Sequence, residues 1–398
     1  MADVSSKRNI CLACGEFPVG HRSSYIEKTI TIYEHDVMQR LGESHVFVRM
    51  SNWMRTISIV YGALMIRVLH ILCGGKTLVD TSRVSTDRAR AIWDEAIRRG
   101  IPMEQLLLFG YPIDSYRALI GSRWMYFESL PIPPLAEVQM YPWTDDKFLF
   151  KKLLQDHHIP VAQGKVATAL SHALSLLEEL HMPVVVKPRI GSNSRHTTPY
   201  VQTRQQFKEA FILSQQLSRY VLFEEHIHGN LCRATVVGGV LVGFLESMQA
   251  QVTGDGVHTI RELVAKKNAY KIARVSDVIF NDENVAHILR EGYTLDSVLE
   301  HNVTIAVARL PGCLNGGGNR EILTEVHPRL RSYVENVANI LHCSIVGFDL
   351  IIPDPLLDPD TQTWGILEAN TLPFIEIHRD PLVGKPSNVA SAVWDLWK

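Results

Sequence analysis

Three residues near the end of the chain have side chains that could hold a divalent cation: Asp349, Glu368 and Asn370. Asp349 lies inside the apolar segment 346–352, and the other two follow the apolar segment 365–367, so both segments are predicted β-strands. Glu368 and Asn370 are two residues apart and should face the same side of their strand, while Asp349 must come from a neighbouring strand. Oxygen ligands of this kind suit Mg²⁺. The spacing alone leaves open that these are a strand-edge acid and a polar turn.

A second group of residues could bind phosphate. Lys187 ends a short, nearly all-apolar strand at 182–187, and the polar loop 191–194 follows it. A lysine supplies a point charge and loop N–H groups supply aligned dipoles, so together they can hold a phosphate. The loop residues predicted to take part are Ser192, Asn193 and Ser194. A surface lysine at a strand exit before a turn remains the alternative.

Two acids, Glu224 and Glu225, follow a short predicted strand at 221–223. Their carboxylates could accept hydrogen bonds from a ribose hydroxyl or an adenine amino group. Exposed acids after a strand are also common, so this signal is weak by itself.

The elements that must position these residues follow from hydrophobic spacing and from helix-start and helix-stop signals. The segment 130–134 (LPIPP) breaks regular structure and is predicted to be a linker. Helices are predicted at 25–41, 80–99, 145–157, 171–180, 205–217 and 389–397. Further strands are predicted at 45–50 and 106–109, with a hairpin that turns at Gly238 and Gly239.

Composition places the chain among globular proteins: it has 398 residues, of which 46% are hydrophobic and 21% charged. This length predicts two or three domains. The formal net charge of −2 implies no general attraction to nucleic acid. The N-terminus is polar and charged, and the most apolar window, 57–75, is interrupted by Arg67 and His70. We therefore expect a cytoplasmic protein with no membrane partner.

The cysteines give one local pattern, the pair Cys11 and Cys14. A zinc site would normally show a second pair of cysteine or histidine ligands at close spacing, and none follows. We interpret the pair as thiols in a reducing compartment.

Taken in order, the candidate residues resemble the ATP-grasp superfamily. Its usual series is a lysine that opens the small lobe, a strand lysine, hinge acids and an Asp…Glu-x-Asn metal set. Within the superfamily, the motifs resemble those of the modules in cyanophycin synthetase and in the bacterial bifunctional glutathione synthetase, over about residues 145–398. The matching residues are Lys147, Lys187, Glu224, Asp349, Glu368 and Asn370, with the motifs at 252–263 (VTGDGVHTIREL), 292–298, 317–318, 326–328, 347–354 and 381–390.

The resemblance implies an α/β (α+β) chain: an N-terminal α/β domain over 1–143, then a two-lobed ATP-grasp fold. Its small nucleotide lobe would cover 144–226 and its large lobe, with the metal site, 227–398. The implied function is an ATP- and Mg²⁺-dependent carboxylate–amine ligase that forms an amide bond through an acyl phosphate, with Mn²⁺ as an alternative metal. Its substrates would be amino acids or a short peptide, and a homo-oligomer is compatible with the sequence.

The resemblance also implies a role for each residue. Lys147 and Lys187 would contact the α- and β-phosphates, and Arg309 would hold the acyl phosphate or the oxyanion, with Arg233 a weaker candidate. The adenosine site would be lined by Glu224, Glu225 and Ile227, partly through backbone groups, and the metals would be held by Asp349, Glu368 and Asn370.

The chain departs from the family pattern in three regions, one of which precedes the 252–263 motif, where Glu246, Ser247 and Gln249 stand at arginine and proline positions. Ser194 and His196 stand where the family has glycines in its phosphate loop, and Leu231 stands where it has an acid. A side chain limits how closely the backbone can approach a phosphate. Two alternatives to a small-molecule ligase therefore stay open: a weakly active or inactive nucleotide-binding or interaction module, and an enzyme that modifies a protein or peptide partner.

Overall fold

A computed structural model describes residues 11, 14, 20–41, 61, 64–68, 70–72, 74–81, 84, 86–133, 141–191 and 195–398. The predicted strand at 45–50 and the predicted phosphate-loop residues Ser192, Asn193 and Ser194 lie outside these residues.

Helices and strands alternate irregularly along the described chain. The α-helices are α1 His21–Leu41, α2 Asp87–Arg98, α3 Lys147–Asp156, α4 Leu170–Leu176, α5 Arg204–Gln215, α6 Ile260–Tyr270, α7 Asp282–Arg290, α8 Pro328–Ile340 and α9 Val389–Asp395. The strands are β1 Thr77–Leu78, β2 Met103–Leu108, β3 Tyr111–Ile120, β4 Arg123–Glu128, β5 Gly164–Ala167, β6 Val184–Pro188, β7 Thr198–Val201, β8 Val221–Glu225, β9 Asn230–Val237, β10 Val240–Met248, β11 Gln251–Thr253, β12 Thr304–Ala306, β13 Gly318–Glu321, β14 Ile345–Ile352, β15 Gly365–Asn370 and β16 Val383–Gly384.

The chain forms two compact units. The first comprises residues 1–58, 138–228 and 364–371, and the second comprises 59–137, 229–363 and 372–398. The three predicted domains, 1–143, 144–226 and 227–398, remain a prediction, because each unit combines segments from more than one of them.

The first unit contains an antiparallel four-stranded sheet in the order β5-β8-β6-β7. Helices α4 and α5 cover it, because their apolar residues share a core with the inward side chains of the strands. Phe207, Phe211 and Phe223 are fully buried in this core. Burial of such large side chains contributes about 1.5–3 kcal/mol each, which holds β6 and β8 rigidly side by side.

The second unit contains strands β14-β9-β10-β13-β16 in that order. Strands β9 and β10 form the predicted hairpin, and its turn residues Gly238 and Gly239 have φ of 59° and 78°, a conformation that glycine adopts without strain. Strand β14 pairs antiparallel with β9, and the register places Asp349 opposite Arg233. Their side chains therefore emerge on one face of the sheet.

The second unit also contains the antiparallel meander β1-β2-β3-β4. Helices α2 and α9 pack in the same core as these strands, around the buried side chains of Trp93, Tyr116 and Trp394. The indole N–H of Trp394 donates to the carbonyl of Ile92 at 3.0 Å, so the polar atom of this buried ring is satisfied.

Most predicted elements are confirmed, with shifted ends. The helix predicted at 80–99 begins instead at Asp87, because Thr86 caps it by accepting the backbone N–H of Ala89 at 3.1 Å. The strand predicted at 106–109 begins earlier, at Met103, and β3 and β4 were not predicted. Both predicted C-terminal strands, β14 and β15, are present.

Candidate functional site

The start of helix α3 is fixed by Asp146, a fully buried residue of the first unit. Its carboxylate accepts the backbone N–H groups of Phe148 at 3.0 Å and Leu149 at 3.2 Å, which caps the helix. The same carboxylate contacts Arg189 at 2.9 Å and His35 at 3.3 Å. Burial opposes ionisation of Asp146, but these two partners outweigh it and hold its pKa below the usual value. Lys147, the first helical residue, is thereby fixed in place.

Helix α3 carries two buried lysines, Lys147 and Lys151. They are four residues apart, so they lie one above the other on the same face of the helix. Lys147 is 8% exposed and Lys151 is 4% exposed. The ammonium of Lys147 is 2.9 Å from a carboxylate oxygen of Glu368 on β15, and that of Lys151 donates to Glu224 on β8.

Glu224 lies between two ammonium groups. One of its oxygens accepts from Lys151, and the other accepts from Lys187 of the neighbouring strand β6 at 2.6 Å. Burial raises the pKa of this carboxyl, but the two lysines outweigh burial, so the pKa of Glu224 lies below its ordinary value. Burial lowers the pKa of Lys151 to about 8, against the opposing effect of Glu224. The cluster thus holds two buried cations and one buried anion.

Strand β15 presents Glu368 and Asn370 in the predicted way. Both side chains are half-buried, while Ala369 between them is 3% exposed and faces the opposite side. The strand is held in the first unit by a hydrogen bond from the N–H of Ile366 to the carbonyl of Pro160 at 3.0 Å. Gly365 allows close packing, since a Cβ there would lie 2.8 Å from the side chain of Ile227.

The remaining predicted residues of the first unit have structural contacts. Glu225 accepts the backbone N–H of His181 at 2.9 Å, and Ile227 is buried.

In the second unit, Asp349 and Arg233 form a bidentate ion pair. The guanidinium Nε and Nη2 of Arg233 donate to the two carboxylate oxygens of Asp349 at 2.6 and 2.9 Å. The pair sits across β9 and β14, and its two side chains are 15% and 20% exposed. Such fork geometry holds the carboxylate in one orientation.

Arg309, the other predicted catalytic arginine, also lies in the second unit. Its guanidinium is paired with Glu283 of helix α7, and its backbone N–H donates to the side chain of Asn284 at 3.0 Å. Its carbonyl accepts from Gln249 at 2.8 Å. These contacts hold both the guanidinium and the backbone of Arg309 in place.

The structure therefore brings four of the predicted site residues together in two ion pairs, Lys187 with Glu224 and Lys147 with Glu368. It places Asp349 in the second unit with Arg233. Lys151 belongs to the first group and was missed by sequence reasoning. The available signal was that Lys151 lies four residues after Lys147 and therefore on the same face of the helix. Lysines are expected on the exposed face of a helix, so this spacing did not mark Lys151 as part of a site.

The described residues of the first unit fit an anionic ligand. The ammonium groups of Lys147, Lys151 and Lys187 are buried, and each is paired with the carboxylate of Glu224 or Glu368. Buried ammonium groups placed this close together can bind the phosphates of an anionic ligand. Glu368 and Asn370 present oxygen atoms on one side of β15, the ligand type that Mg²⁺ takes.

No protein-family model matches the chain. In sequence, it is 31% identical over 264 residues to a cyanophycin synthetase from a Synechocystis species, covering 63% of this chain and 30% of the relative. It is 26% identical over 263 residues to the glutathione biosynthesis bifunctional protein GshAB of Pasteurella multocida, covering 63% of this chain and 34% of the relative. The chain spans about a third of the length of these curated relatives.

In structure, the chain is similar to the crystal structure of a bifunctional glutathione synthetase from Pasteurella multocida. The TM-score is 0.55 and the identity 23%, covering 78% of this chain and 43% of that one. The likeness shows the fold, which is α+β. The predicted resemblance to ATP-grasp proteins is thereby confirmed.

Among the described residues, no helix combines the length and the apolar character needed to cross a bilayer.

Proposed function

We propose that this chain is an ATP- and Mg²⁺-dependent carboxylate–amine ligase that forms an amide bond and releases ADP and phosphate. The observation that supports it most is the group of three buried lysines, of which Lys151 and Lys187 pair with Glu224 and Lys147 pairs with Glu368. A buried cationic group of this kind is suited to an anion as highly charged as a triphosphate. The sequence relatives, a cyanophycin synthetase and a glutathione biosynthesis bifunctional protein, support the same activity.

Each residue has a proposed role in this reaction. Lys147 and Lys187 bind the α- and β-phosphates, and Lys151 and Glu224 hold Lys187 in position through the buried ion pairs. The predicted loop residues Ser192, Asn193 and Ser194 would add N–H groups. Glu225 and Ile227 would line the adenosine site through backbone groups.

The metal ligands in this proposal are Asp349, Glu368 and Asn370. When bound, Mg²⁺ neutralises charge on the β- and γ-phosphates. In the described structure Glu368 pairs with Lys147 and Asp349 with Arg233, so a cation orients each carboxylate.

Arg309 and Arg233 are the proposed groups for the negative charge that develops on the substrate. The substrate carboxylate attacks the γ-phosphorus and forms an acyl phosphate, and the amine then displaces phosphate from the acyl carbon. A guanidinium is always charged and donates in a fixed planar fork, so it suits both the acyl phosphate and the tetrahedral oxyanion.

The proposed substrates are amino acids or a short peptide, and the proposed location is the cytoplasm. The five described cysteines are free thiols, which fits a reducing compartment. A second candidate, a nucleotide-binding module with little or no turnover, is favoured by one departure: Leu231 stands where the family pattern has an acid.

The test is a product assay with ATP, Mg²⁺ and a panel of amino acids and short peptides. We expect ADP, inorganic phosphate and a new amide detected by mass spectrometry. Formation of AMP and pyrophosphate would refute the acyl-phosphate route. Binding of ATP without any product would favour the nucleotide-binding module.

The matched variants are Glu368→Gln and Glu179→Gln, since both glutamates pair with a lysine. Glu368→Gln removes the half-buried carboxylate that pairs with Lys147, so the free energy of unfolding should fall by about 0.5–3 kcal/mol. Turnover should fall by about two orders of magnitude or more. Glu179→Gln should keep full turnover. A folded Glu368→Gln protein with wild-type turnover at several Mg²⁺ concentrations would exclude this metal site.

A further inference from the structure

Four side chains that could bind a metal meet in the first unit. None of them belongs to the lysine cluster, which comprises Lys147, Lys151, Lys187 and Glu224. They are Cys11, Cys14, His21 and His196, and their ligand atoms all lie within 4.8 Å of one another. Cys14 and His196 are 3% and 1% exposed. The sequence interpretation of Cys11 and Cys14 as isolated thiols missed the two histidines, because His196 is 182 residues from Cys14 along the chain.

Three of the sulfur–nitrogen separations among these atoms are close to the edges of a tetrahedron around zinc. With Zn–S bonds of about 2.3 Å and Zn–N bonds of about 2.0 Å, a sulfur and a nitrogen at tetrahedral positions lie about 3.5 Å apart. The observed distance from the Sγ of Cys14 is 3.2 Å to the Nε2 of His21 and 3.3 Å to the Nε2 of His196. The distance from the Sγ of Cys11 to the Nε2 of His196 is 3.5 Å.

Additional hydrogen bonds orient two of the four candidate ligands, His196 and Cys14. The Nδ1 of His196 is 2.7 Å from the carbonyl of Leu213, so it must carry the proton and leaves Nε2 as the lone-pair nitrogen that faces the cysteines. The backbone N–H of Cys14 donates to the carbonyl of Cys11 at 3.0 Å, which holds the two sulfurs in a tight turn. Metal-bound histidines usually have such a second partner.

The backbone of His196 adds an independent observation. Its φ is 52°, a left-handed conformation that is unfavourable for a residue with a side chain. His196 also stands where the resembling family has a glycine. Such strain persists only where the surrounding structure requires it, and here the strained residue directs its imidazole into the cluster.

We propose that Cys11, Cys14, His21 and His196 form a structural zinc site. Two thiolates and two imidazoles in a tetrahedral arrangement are a ligand set typical of zinc, and four protein ligands leave no open position for a substrate. The ion would tie Cys11, Cys14 and the first residue of helix α1 to His196, two residues before strand β7.

The experiment measures metal in the full chain and needs neither ATP nor turnover, so its outcome is independent of the proposed ligase function. The protein is produced with added zinc, freed of loosely bound metal, and analysed by mass spectrometry for zinc and for intact mass. We expect about one zinc per chain in the wild type. In Cys14→Ser the zinc content should fall to less than about a tenth of that value.

Matched variants separate ligation from a general effect on folding. Cys343→Ser also replaces a buried cysteine, in the second unit, and should retain the zinc. His21→Ala should lose it, whereas His21→Cys should keep it, because three cysteines and one histidine are also a zinc ligand set.

A measurement on the wild type covers the case in which Cys14→Ser does not fold. After removal of zinc, added Co²⁺ should give the thiolate charge-transfer and intense d–d absorption bands of a tetrahedral cobalt site. The site would be excluded by wild-type protein that binds neither ion. Equal zinc in Cys14→Ser, or an intact mass that shows a Cys11–Cys14 disulfide in the isolated protein, would also exclude it.

Discussion

Glu224 balances two buried ammonium groups with one carboxylate. It is 1% exposed, and both of its oxygens are used, one by Lys151 and one by Lys187. If the negative charge is removed, two cations remain in a region that water does not reach. Breaking a buried pair in this way usually costs more than the pair itself contributes, because the remaining charge has no compensation.

We therefore predict that Glu224→Gln lowers the free energy of unfolding by about 3–5 kcal/mol near neutral pH. The pKa of Glu224 in the folded protein is below its ordinary value of 4.5. The stability that this carboxylate contributes is therefore present above the unfolded pKa and is lost as the pH falls through the folded pKa. The difference in the free energy of unfolding between wild type and Glu224→Gln should therefore become smaller as the pH falls from neutral through the folded pKa of Glu224. Urea unfolding at several pH values over this range would measure it.

The control for this prediction is Glu179→Gln. Glu179 also accepts from a lysine, Lys165 at 2.6 Å, but its side chain is 55% exposed. An exposed pair contributes about 0–1 kcal/mol, so this variant should unfold almost as the wild type does. A Glu224→Gln deficit that stays constant as the pH falls would show that it arises from packing rather than from charge.

At the scale of elements, the motif 252–263 builds a turn and a helix start. Asp255 accepts the backbone N–H groups of Val257 at 3.0 Å and His258 at 2.8 Å, which closes the turn. These bonds to the ionised carboxylate hold the pKa of Asp255 well below its usual range. Thr259 and Glu262 then form a capping box at the start of α6. A Cβ at Gly254 would lie 2.2 Å from the carbonyl of Glu300, so only glycine fits there.

From this geometry, Thr259→Ala should destabilise the protein by about 1 kcal/mol, because the N–H of Glu262 loses its side-chain acceptor at the helix start. Denaturant unfolding measures this change. Ser332→Ala in the exposed face of α8 is the control and should stay within about 0.5 kcal/mol of wild type. Equal stability of the two variants would mean that the capping box contributes nothing measurable.

The elements with clear local signals could be predicted from the sequence, whereas helices α6, α7 and α8 and strands such as β3, β4 and β13 were not predicted. Helix α3 and the β9–β10 hairpin carry their own signals, an aspartate cap for the helix and paired glycines for the turn. Strand β3 has no such signal, because Pro112 and Asp114 interrupt its apolar pattern. It is held by pairing with strands on both sides, which is a tertiary effect that a single-sequence pattern does not contain.

The candidate site was predictable where its residues end apolar strands, as with Lys187 and Glu368. Lys151 could not be distinguished from an exposed helical lysine, because only the burial of α3 against β8 and β15 makes it part of the cluster.

The Cys–His cluster could not be predicted from local sequence patterns, for a different reason. Its fourth ligand comes from a distant segment, and the position of such a ligand depends on the fold rather than on spacing.

At the scale of the whole molecule, the charges are nearly balanced, with a formal net charge of −2. The lysine cluster of the first unit is a local exception, since it concentrates positive charge in the protein interior. Keeping these cations away from water costs free energy in the unliganded protein, even where carboxylates pair with them. An anion that enters this environment recovers part of that cost, so the native state should gain stability when a suitable phosphate ligand binds.

We therefore predict that Mg²⁺ and ATP raise the Tm of the full chain. A ligand that binds only the native state at about 100 times its Kd contributes about 2.7 kcal/mol, which corresponds to an increase of a few degrees. Lys187→Met removes one phosphate-binding ammonium and should abolish most of the increase, whereas Lys165→Met, at an exposed lysine of the same unit, should retain it. Differential scanning fluorimetry with ATP, with and without Mg²⁺, measures these shifts. A wild-type Tm that does not change at millimolar ATP would refute nucleotide binding, and an unchanged increase in Lys187→Met would move the phosphate site away from this lysine.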